Sequence, residues 1–151
     1  MKEQEHWTAF WKQGHTTTFG DFFKEGYRGE IGRWWSSVLE SLPEHGQVVD
    51  LGCGNTALLT AILEAGLQVQ YIGVDPAEVS INPRAEALLV ESMFPPKLLA
   101  GYGAESVPLE SGSVDAIVSV FGIEYADLTE AIPEVSRLLV PEGRFDWVMH
   151  H

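Results

Sequence analysis

The sequence has few basic residues, a single cysteine and no long apolar run. Of its 151 residues, nine are Lys or Arg and 22 are Asp or Glu, which gives a formal charge of -13. A surface of that charge repels nucleic-acid phosphates and anionic membranes, so both are poor candidates as partners. The lone Cys53 excludes an internal disulfide and favours a reducing compartment, which predicts a cytoplasmic protein. No apolar run approaches the ~18 residues of a membrane span.

Strand-like and helix-like segments alternate along most of the chain. Residues 1–45 are predicted to be helical, and Trp7 and Trp11 lie at a helical spacing that favours packing. The predicted strands are QVVDLG (47–52), VQYIGVD (69–75), KLLAGY (97–102), VDAIVSVFG (114–122) and GRFDWVMHH (143–151). The predicted helices between them are Asn55–Glu64, one from Pro83 to about Met93, and Asp127–Leu139, with Glu130 completing a possible capping box.

This alternation predicts an α/β fold, in which a parallel sheet carries helices on both faces. We expect one domain, with an N-terminal helical lid segment over residues 1–45 and a core over residues 46–151. Parallel sheets of this kind bind ligands at the carboxyl ends of their strands, where the strand order reverses. The residues that end the predicted strands are therefore the candidates for a binding site.

The stretch VVDLGCGNTALL (48–59) places two glycines between a buried strand and a helix. Gly52 and Gly54 suit a sharp turn whose backbone a ligand approaches closely, so a Val at position 52 should block the ligand and spare the fold. Asp75 ends the next strand, where a carboxylate accepts hydrogen bonds from ribose hydroxyls. The pattern GCGNTA also matches a dinucleotide motif, but Asp50 would repel a pyrophosphate. A cationic nucleoside without phosphate fits better.

Asp50-Leu51-Gly52-Cys53-Gly54 and the acid of YIGVD resemble the motifs of class I S-adenosylmethionine-dependent methyltransferases. The resemblance covers roughly residues 47–148. It implies a three-layer Rossmann-like sandwich with sheet order 3-2-1-4-5, S-adenosylmethionine as cofactor and S-adenosylhomocysteine as product. The implied cofactor-binding residues are Asp50, Gly52, Cys53, Gly54, Asp75, Pro76, Ala104, Glu105 and Phe121. Glu124 and Tyr125 are the implied catalytic residues, which would orient the acceptor or accept its proton.

The sequence departs from this family in three places. Thr56 replaces the third motif glycine, and Gly103 stands where an acid often meets the adenine, so either Glu105 or a backbone carbonyl is expected to substitute. The two strands that normally follow the fifth are missing. We therefore expect a shortened form, a proteolytic fragment, or a chain whose fifth-strand edge pairs in a homodimer.

Several hypotheses remain open at this point. The acceptor is expected to be a small molecule, because neither a basic groove nor a peptide-binding pattern is present. An NAD-dependent oxidoreductase and a non-catalytic binding or assembly module are the alternatives. His15, Tyr27 and Arg28 precede the core, where related enzymes carry a lid. The histidines lack metal-ligand spacing, so no metal site is expected.

Overall fold

The computed structural model describes residues 2–18 and 29–149. Tyr27, Arg28, His150 and His151 lie outside the described residues, so the expectations about them stay predictions. The elements, in chain order, are α1 (Lys2–Lys12), α2 (Gly29–Ser41), β1 (Gln47–Leu51), α3 (Ala57–Glu64), β2 (Gln70–Asp75), α4 (Pro83–Leu88), β3 (Lys97–Ala100), β4 (Val114–Val120), α5 (Leu128–Leu138) and β5 (Leu139–Val148).

The five strands form one parallel sheet in the order β3-β2-β1-β4-β5, which confirms the predicted topology. The chain runs outward from β1 to β2 and β3 and then returns to β4 on the other side of β1. This reversal opens a crevice at the carboxyl ends of β1 and β4. Asp50 lies at the centre of the sheet, opposite Gly73 of β2 and Val118 of β4.

Successive residues of the central strands pack into two different cores, which makes the fold three-layered. Val48 and Val118 face a cluster with side chains of α2 and α3. Val49 and Ile117 face a second cluster with side chains of α5. Because both faces of the sheet are covered, the strands appear as nearly continuous apolar runs.

The helices after β1 and β2 are shorter than predicted. α3 begins at Ala57 because Thr56 adopts a left-handed conformation, with φ 65° and ψ 40°. Thr56 thus takes the backbone conformation that a motif glycine would adopt without strain. α4 starts at Pro83, after the predicted Asn82 cap, and gives way to a 3₁₀ turn over Leu89–Glu91.

The boundary between the last helix and the last strand lies earlier in the chain than the sequence indicates. Asp127 caps α5 by accepting from Thr129 N at 3.0 Å, while its own N–H donates to Glu105 Oε1 at 2.8 Å. The predicted capping box with Glu130 is therefore wrong. Pro133 lies inside α5 and does not delay its start. β5 starts at Leu139, and its pairing with β4 changes register between Val114 and Ala116.

β5 is an edge strand of the described sheet, and its pairing with a second copy stays a prediction.

Among the described residues, no helix combines the length and the apolar character that crossing a bilayer requires.

Candidate functional site

Three neighbouring cavities lie at the carboxyl ends of the strands, with volumes of about 190, 50 and 20 Å³. We call them the first, second and third cavity. Gly52 lines all three, which puts the predicted glycine turn at the centre of the site. The first cavity is lined by Glu3, Gln4, Trp7, Leu51, Gly52, Val74, Pro76, Gly103, Ala104, Glu105, Gly122, Ile123, Tyr125 and Ala126.

The other two cavities adjoin the first, because all three share Gly52 as a wall residue. The second is lined by Trp7, Trp11, Thr18, Gly52, Asp75, Pro76, Phe121, Gly122 and Tyr125. The third is lined by Thr16, Thr17, Thr18, Trp11, Trp35, Asp50, Gly52, Cys53, Ala57, Leu58 and Val120. The cavities therefore follow one groove from the end of β2 to the end of β4.

Asp75 ends β2 and points its carboxylate back toward the glycine turn. Its Oδ2 accepts from Gly54 N at 2.9 Å and its Oδ1 accepts from Ala77 N at 2.9 Å. Burial raises the pKa of Asp75, and these two hydrogen bonds oppose the rise. Because each carboxylate oxygen has a second lone pair, Asp75 can still accept hydrogen bonds from the second cavity.

Asp50 lies inside the sheet, only 3% exposed, at the wall of the third cavity. Its Oδ2 accepts from the Tyr71 hydroxyl at 2.6 Å. Burial raises the pKa of Asp50 from 3.8 to about 7; the Tyr71 hydrogen bond lowers it, and the negative charge of Asp75 adds to the rise. A cation entering this cavity would therefore meet a carboxyl group that is held near its titration point.

Gly52 is needed for packing within the protein, not only for access by a ligand. Its φ is 73°, and a Cβ built on it would lie 2.7 Å from the Cα of Gly122. The turns after β1 and β4 thus touch backbone to backbone. The expectation that a Val at position 52 would spare the fold is therefore wrong.

The turn also uses its own N–H groups internally. Those of Gly52 and Cys53 donate to Val74 O, at 2.8 and 3.1 Å, and that of Gly54 donates to Asp75. A Cβ on Gly54 would lie 2.5 Å from the indole of Trp11. Trp11 therefore covers Gly54, and Gly54 does not line the cavities.

Cys53 packs on β2. A Cβ on Gly73 would lie 2.8 Å from its sulfur, so the thiol fills the space above that glycine. Burial and the charges of Asp50 and Asp75 raise the pKa of Cys53. These features describe a small packing residue and not a nucleophile.

Glu105 takes the space that the missing acid at position 103 would occupy. The Glu105 carboxylate lies directly against the position of a Cβ on Gly103. Pro76 and Ala104 line the first cavity together with Glu105. The structure thus brings together Ala104 and Glu105, which the resemblance placed beside an adenine, and Pro76, which it implied as a cofactor-binding residue.

The segment after β4 forms the opposite wall. Phe121 is buried and has φ 52°, which is a strained backbone conformation for a bulky residue. Tyr125 lines the first two cavities, whereas Glu124 is not among the lining residues. Burial raises the pKa of Tyr125, and the charges of Glu124 and Glu3 raise it further. Tyr125 is therefore a neutral hydroxyl at physiological pH and not a base.

Helix α1 lies across the site and is tied to the loop after β2. The Gln4 side-chain amide donates to Pro76 O, and Glu78 N donates to Thr8 Oγ1 at 3.1 Å. Lys12 Nζ lies 2.8 Å from a Glu78 carboxylate oxygen.

A buried polar network ties the chain after α1 to the glycine turn. Asn55 Nδ2 donates to Trp11 O at 2.9 Å and to His15 O at 2.7 Å. Asn82 Nδ2 donates to Asn55 O at 2.8 Å and to Thr56 Oγ1 at 3.2 Å. His15 thus contributes a backbone contact and does not line the cavities.

Of the predicted site residues, the structure brings all but Gly54 and Glu124 to the cavity walls. Sequence reasoning missed the roles of several residues. They are Trp7, Trp11, Thr18, Asn55 and Tyr71. The helical spacing of the two tryptophans was a usable signal, although packing was the simpler interpretation.

Comparison with known proteins supports the same family as the motifs. Residues 49–145 match the family model described as "Methyltransferase domain". An uncharacterized methyltransferase of Mycobacterium tuberculosis is 38% identical over 103 residues, which are 68% of this chain and 39% of that protein.

Solved structures share the fold. The YcgJ protein of Bacillus subtilis has a TM-score of 0.64 at 24% identity, over 80% of this chain and 51% of that chain. A geranyl diphosphate C-methyltransferase of Streptomyces coelicolor has a TM-score of 0.62 at 20% identity, over 96% and 63%. The chain thus spans about two fifths of the length of the M. tuberculosis relative. The matched region, the sheet order and the motif positions agree, and the chain belongs to the methyltransferase-domain family.

Proposed function

We propose that this chain is the donor-binding domain of a methyltransferase that uses S-adenosylmethionine. The observation that carries the proposal is the pair of buried carboxyl groups, Asp50 and Asp75, at the ends of β1 and β2 beside one groove. Phe121 lines the second cavity of that groove, and the methyl group would lie beside it.

The second cavity suits a ribose. Asp75 still has lone pairs available, and the Thr18 hydroxyl is buried without a hydrogen-bond partner among residues 2–18 and 29–149. Both line this cavity. Because a buried polar atom is normally paired, the free Thr18 hydroxyl supports a ligand with hydroxyl groups.

The third cavity suits the amino-acid end of the cofactor. Asp50 accepts from Tyr71 alone among the described hydrogen bonds, and an ammonium group would supply it with a charged partner. A pyrophosphate would meet this carboxyl group without help from the N–H groups of Gly52, Cys53 and Gly54, which are already used. These contacts count against the oxidoreductase alternative.

The first cavity suits the adenine, with Pro76, Ala104 and Glu105 along its wall. Its volume of about 190 Å³ is below the ~300–1,000 Å³ of typical ligand pockets. Trp11 and helix α1 narrow the groove, so α1 must move away as a lid before the cofactor enters. This is the role that we assign to the N-terminal segment.

The cofactor supplies an activated methyl group when it is bound. The protein's task is then to align the acceptor and exclude water, which together contribute up to ~7–11 kcal/mol. Phe121 would close the apolar side of the reaction centre, and Tyr125 would donate a hydrogen bond that orients the acceptor. Glu124 remains the candidate for accepting a proton. We further propose a small-molecule acceptor and a cytoplasmic location, the latter supported by the lone thiol.

Titration calorimetry with S-adenosylhomocysteine tests the proposal. We expect Asp75→Asn to weaken binding by roughly tenfold or more, because a charged acceptor contributes about 1.5–3 kcal/mol. Thr18→Val should weaken it more mildly, and it disturbs no side-chain hydrogen bond within the described part of the chain. Asp146→Asn, on β5 away from the cavities, is the control for charge.

The possible results separate the hypotheses. Failure of the unaltered protein to bind S-adenosylhomocysteine would contradict the proposed function. If the Asp75 and Thr18 variants bind S-adenosylhomocysteine as tightly as the unaltered protein does, the proposed placement of the ribose is contradicted. Binding without methyl transfer to any acceptor would favour the non-catalytic module.

A further inference from the structure

One side of β5 pairs with β4, and its other side has no neighbouring strand among the described residues. Val148 O accepts from Phe121 N at 2.8 Å, so the main-chain groups of Val148 face the β4 side. Main-chain groups of successive strand residues point to alternate sides. Those of Gly143, Phe145 and Trp147 therefore point outward, and such a row of N–H and C=O groups is a template for a further strand.

The face of β5 that carries α5 is apolar and partly open to water. Phe145 packs against the core cluster that contains Ala131 and Val135 of α5. Trp147, two residues farther along, lies on the same face and is 45% exposed, with its ring centroid 4.4 Å from that of Phe145. Ile132 of α5 is 43% exposed. Large apolar side chains beside an open strand edge indicate an interaction surface.

The opposite face of the same strand segment carries one charge of each sign. Arg144 Nη2 lies 3.1 Å from Asp146 Oδ1, and both side chains are at least partly exposed. The order basic, aromatic, acidic is complementary to itself when the strand is reversed. A two-fold axis through Phe145 would bring Arg144 of each copy opposite Asp146 of the other.

The main-chain pattern favours the same alignment. In antiparallel pairs, residues whose main-chain groups point across exchange two hydrogen bonds, and the residues between them lie closer together. Phe145 would pair with Phe145, and Gly143 with Trp147, whose ring would cover that glycine. Arg144 and Asp146 would form the close pairs. An axis moved to Arg144 or to Asp146 would instead put two like charges opposite each other, which destabilises the pairing.

We propose that β5 is a homodimer interface, in which two copies pair their β5 strands antiparallel around a two-fold axis at Phe145. The two sheets become one, and both α5 helices lie on the same face of it. Trp147 and Ile132 of both copies then flank the seam. The occupant of the edge is a second copy because a two-fold interface needs a patch that matches itself, which the strand's charges and glycine provide.

Light scattering after size-exclusion chromatography tests the proposal on the unaltered chain. The mass should rise toward twice the 16.7 kDa of one chain as the protein concentration increases. Arg144→Asp and Asp146→Arg each place like charges opposite each other, so each should raise the dissociation constant by about tenfold or more. An equal mixture of the two variants restores opposite charges and should recover the dimer. Arg33→Asp, exposed on α2, is the control, because it changes the net charge as Arg144→Asp does.

Cysteine variants test the position of the axis. When Arg144→Cys and Asp146→Cys are mixed and oxidised, their Cα atoms would be about 4.5 Å apart, within the range of a disulfide. In either variant alone, the two cysteines would be diagonal at about 7–8 Å, which is too far. The linked dimer should therefore form in the mixture and be nearly absent from each variant alone. The unaltered protein, whose Cys53 is buried, is the control.

Three results would contradict the proposal. The mass of a single chain at every concentration would overturn it and would mean a different occupant for the edge. A dimer that tolerates both charge reversals would place the interface elsewhere. Equal cross-linking in the mixture and in each cysteine variant alone would overturn the axis at Phe145. None of these results depends on whether S-adenosylhomocysteine binds.

Discussion

The buried Asp50 predicts an unusual pH dependence of folding stability. An unfolded Asp releases its proton near pH 3.8, whereas the folded protein holds this proton up to about pH 7. Between these values the folded state binds more protons, so the contribution of Asp50 to stability falls as the pH rises. The difference between the two pKa values corresponds to a total change of about 4 kcal/mol in the free energy of unfolding.

Asp50→Asn removes this dependence while it keeps an oxygen that can accept from Tyr71. Between pH 5.5 and pH 8.5, the linkage relation gives about 2 kcal/mol of stability that the wild-type protein loses and the variant keeps. The difference in unfolding free energy between variant and wild type should therefore grow by that amount. Other carboxylates, such as Glu134 with its lowered pKa, affect both proteins alike and cancel.

The assay is urea unfolding of the cofactor-free protein at several pH values, followed by tryptophan fluorescence. Tyr71→Phe should move the transition to higher pH, because it removes the hydrogen bond that lowers the pKa of Asp50. Asp146→Asn serves as the control. A constant difference between Asp50→Asn and wild type across the pH range would refute the reasoning.

Two further predictions concern the glycine turn and the lid. Gly52→Ala should destabilise the fold by about 2–4 kcal/mol, because it adds a collision with Gly122 to the backbone cost. Gly112 has φ 62° and open space where a Cβ would lie. The matched Gly112→Ala variant should therefore lose only about 1 kcal/mol of unfolding free energy in chemical denaturation. Equal losses in the two variants would disprove the backbone contact. Thr8→Val removes one tie of α1 and should tighten S-adenosylhomocysteine binding by about two- to fivefold. Weaker binding in calorimetry would instead mean that the closed helix holds the ligand.

The sheet and the positions of its acidic residues follow from the sequence because each depends on local periodicity and a general rule. Apolar runs bounded by turn residues predict the strands, and parallel connectivity puts the ends of β1 and β2 at the same edge. Asp50 and Asp75 could therefore be assigned to one rim. The left-handed conformation of Thr56 was harder to foresee, because a β-branched residue rarely adopts it. In this structure the Thr56 hydroxyl accepts a hydrogen bond from Asn82.

Contacts between distant segments could not be predicted in this way. The packing of Trp11 over Gly54 and the contact of Glu105 with Asp127 depend on how loops meet after folding. The helical spacing of Trp7 and Trp11 indicates an apolar face but does not identify what that face covers. For the same reason, the sequence alone indicates that the contact of an acid at position 103 is lost, whereas in the structure Glu105 fills that space.

The hydrogen bonds of α1 and of the chain after it connect the proposed lid to the residues that it covers. Trp11 lies on Gly54, whose N–H group donates to Asp75, and Asn55 joins the Trp11 carbonyl to the glycine turn. Movement of α1 would therefore release contacts in the same loops that a ligand would engage. If α1 is the lid proposed above, a ligand binds only the open population, and the stability of the closed helix lowers the apparent affinity by a corresponding factor. Substitutions in α1 should thus change donor affinity even where the side chain never touches the donor.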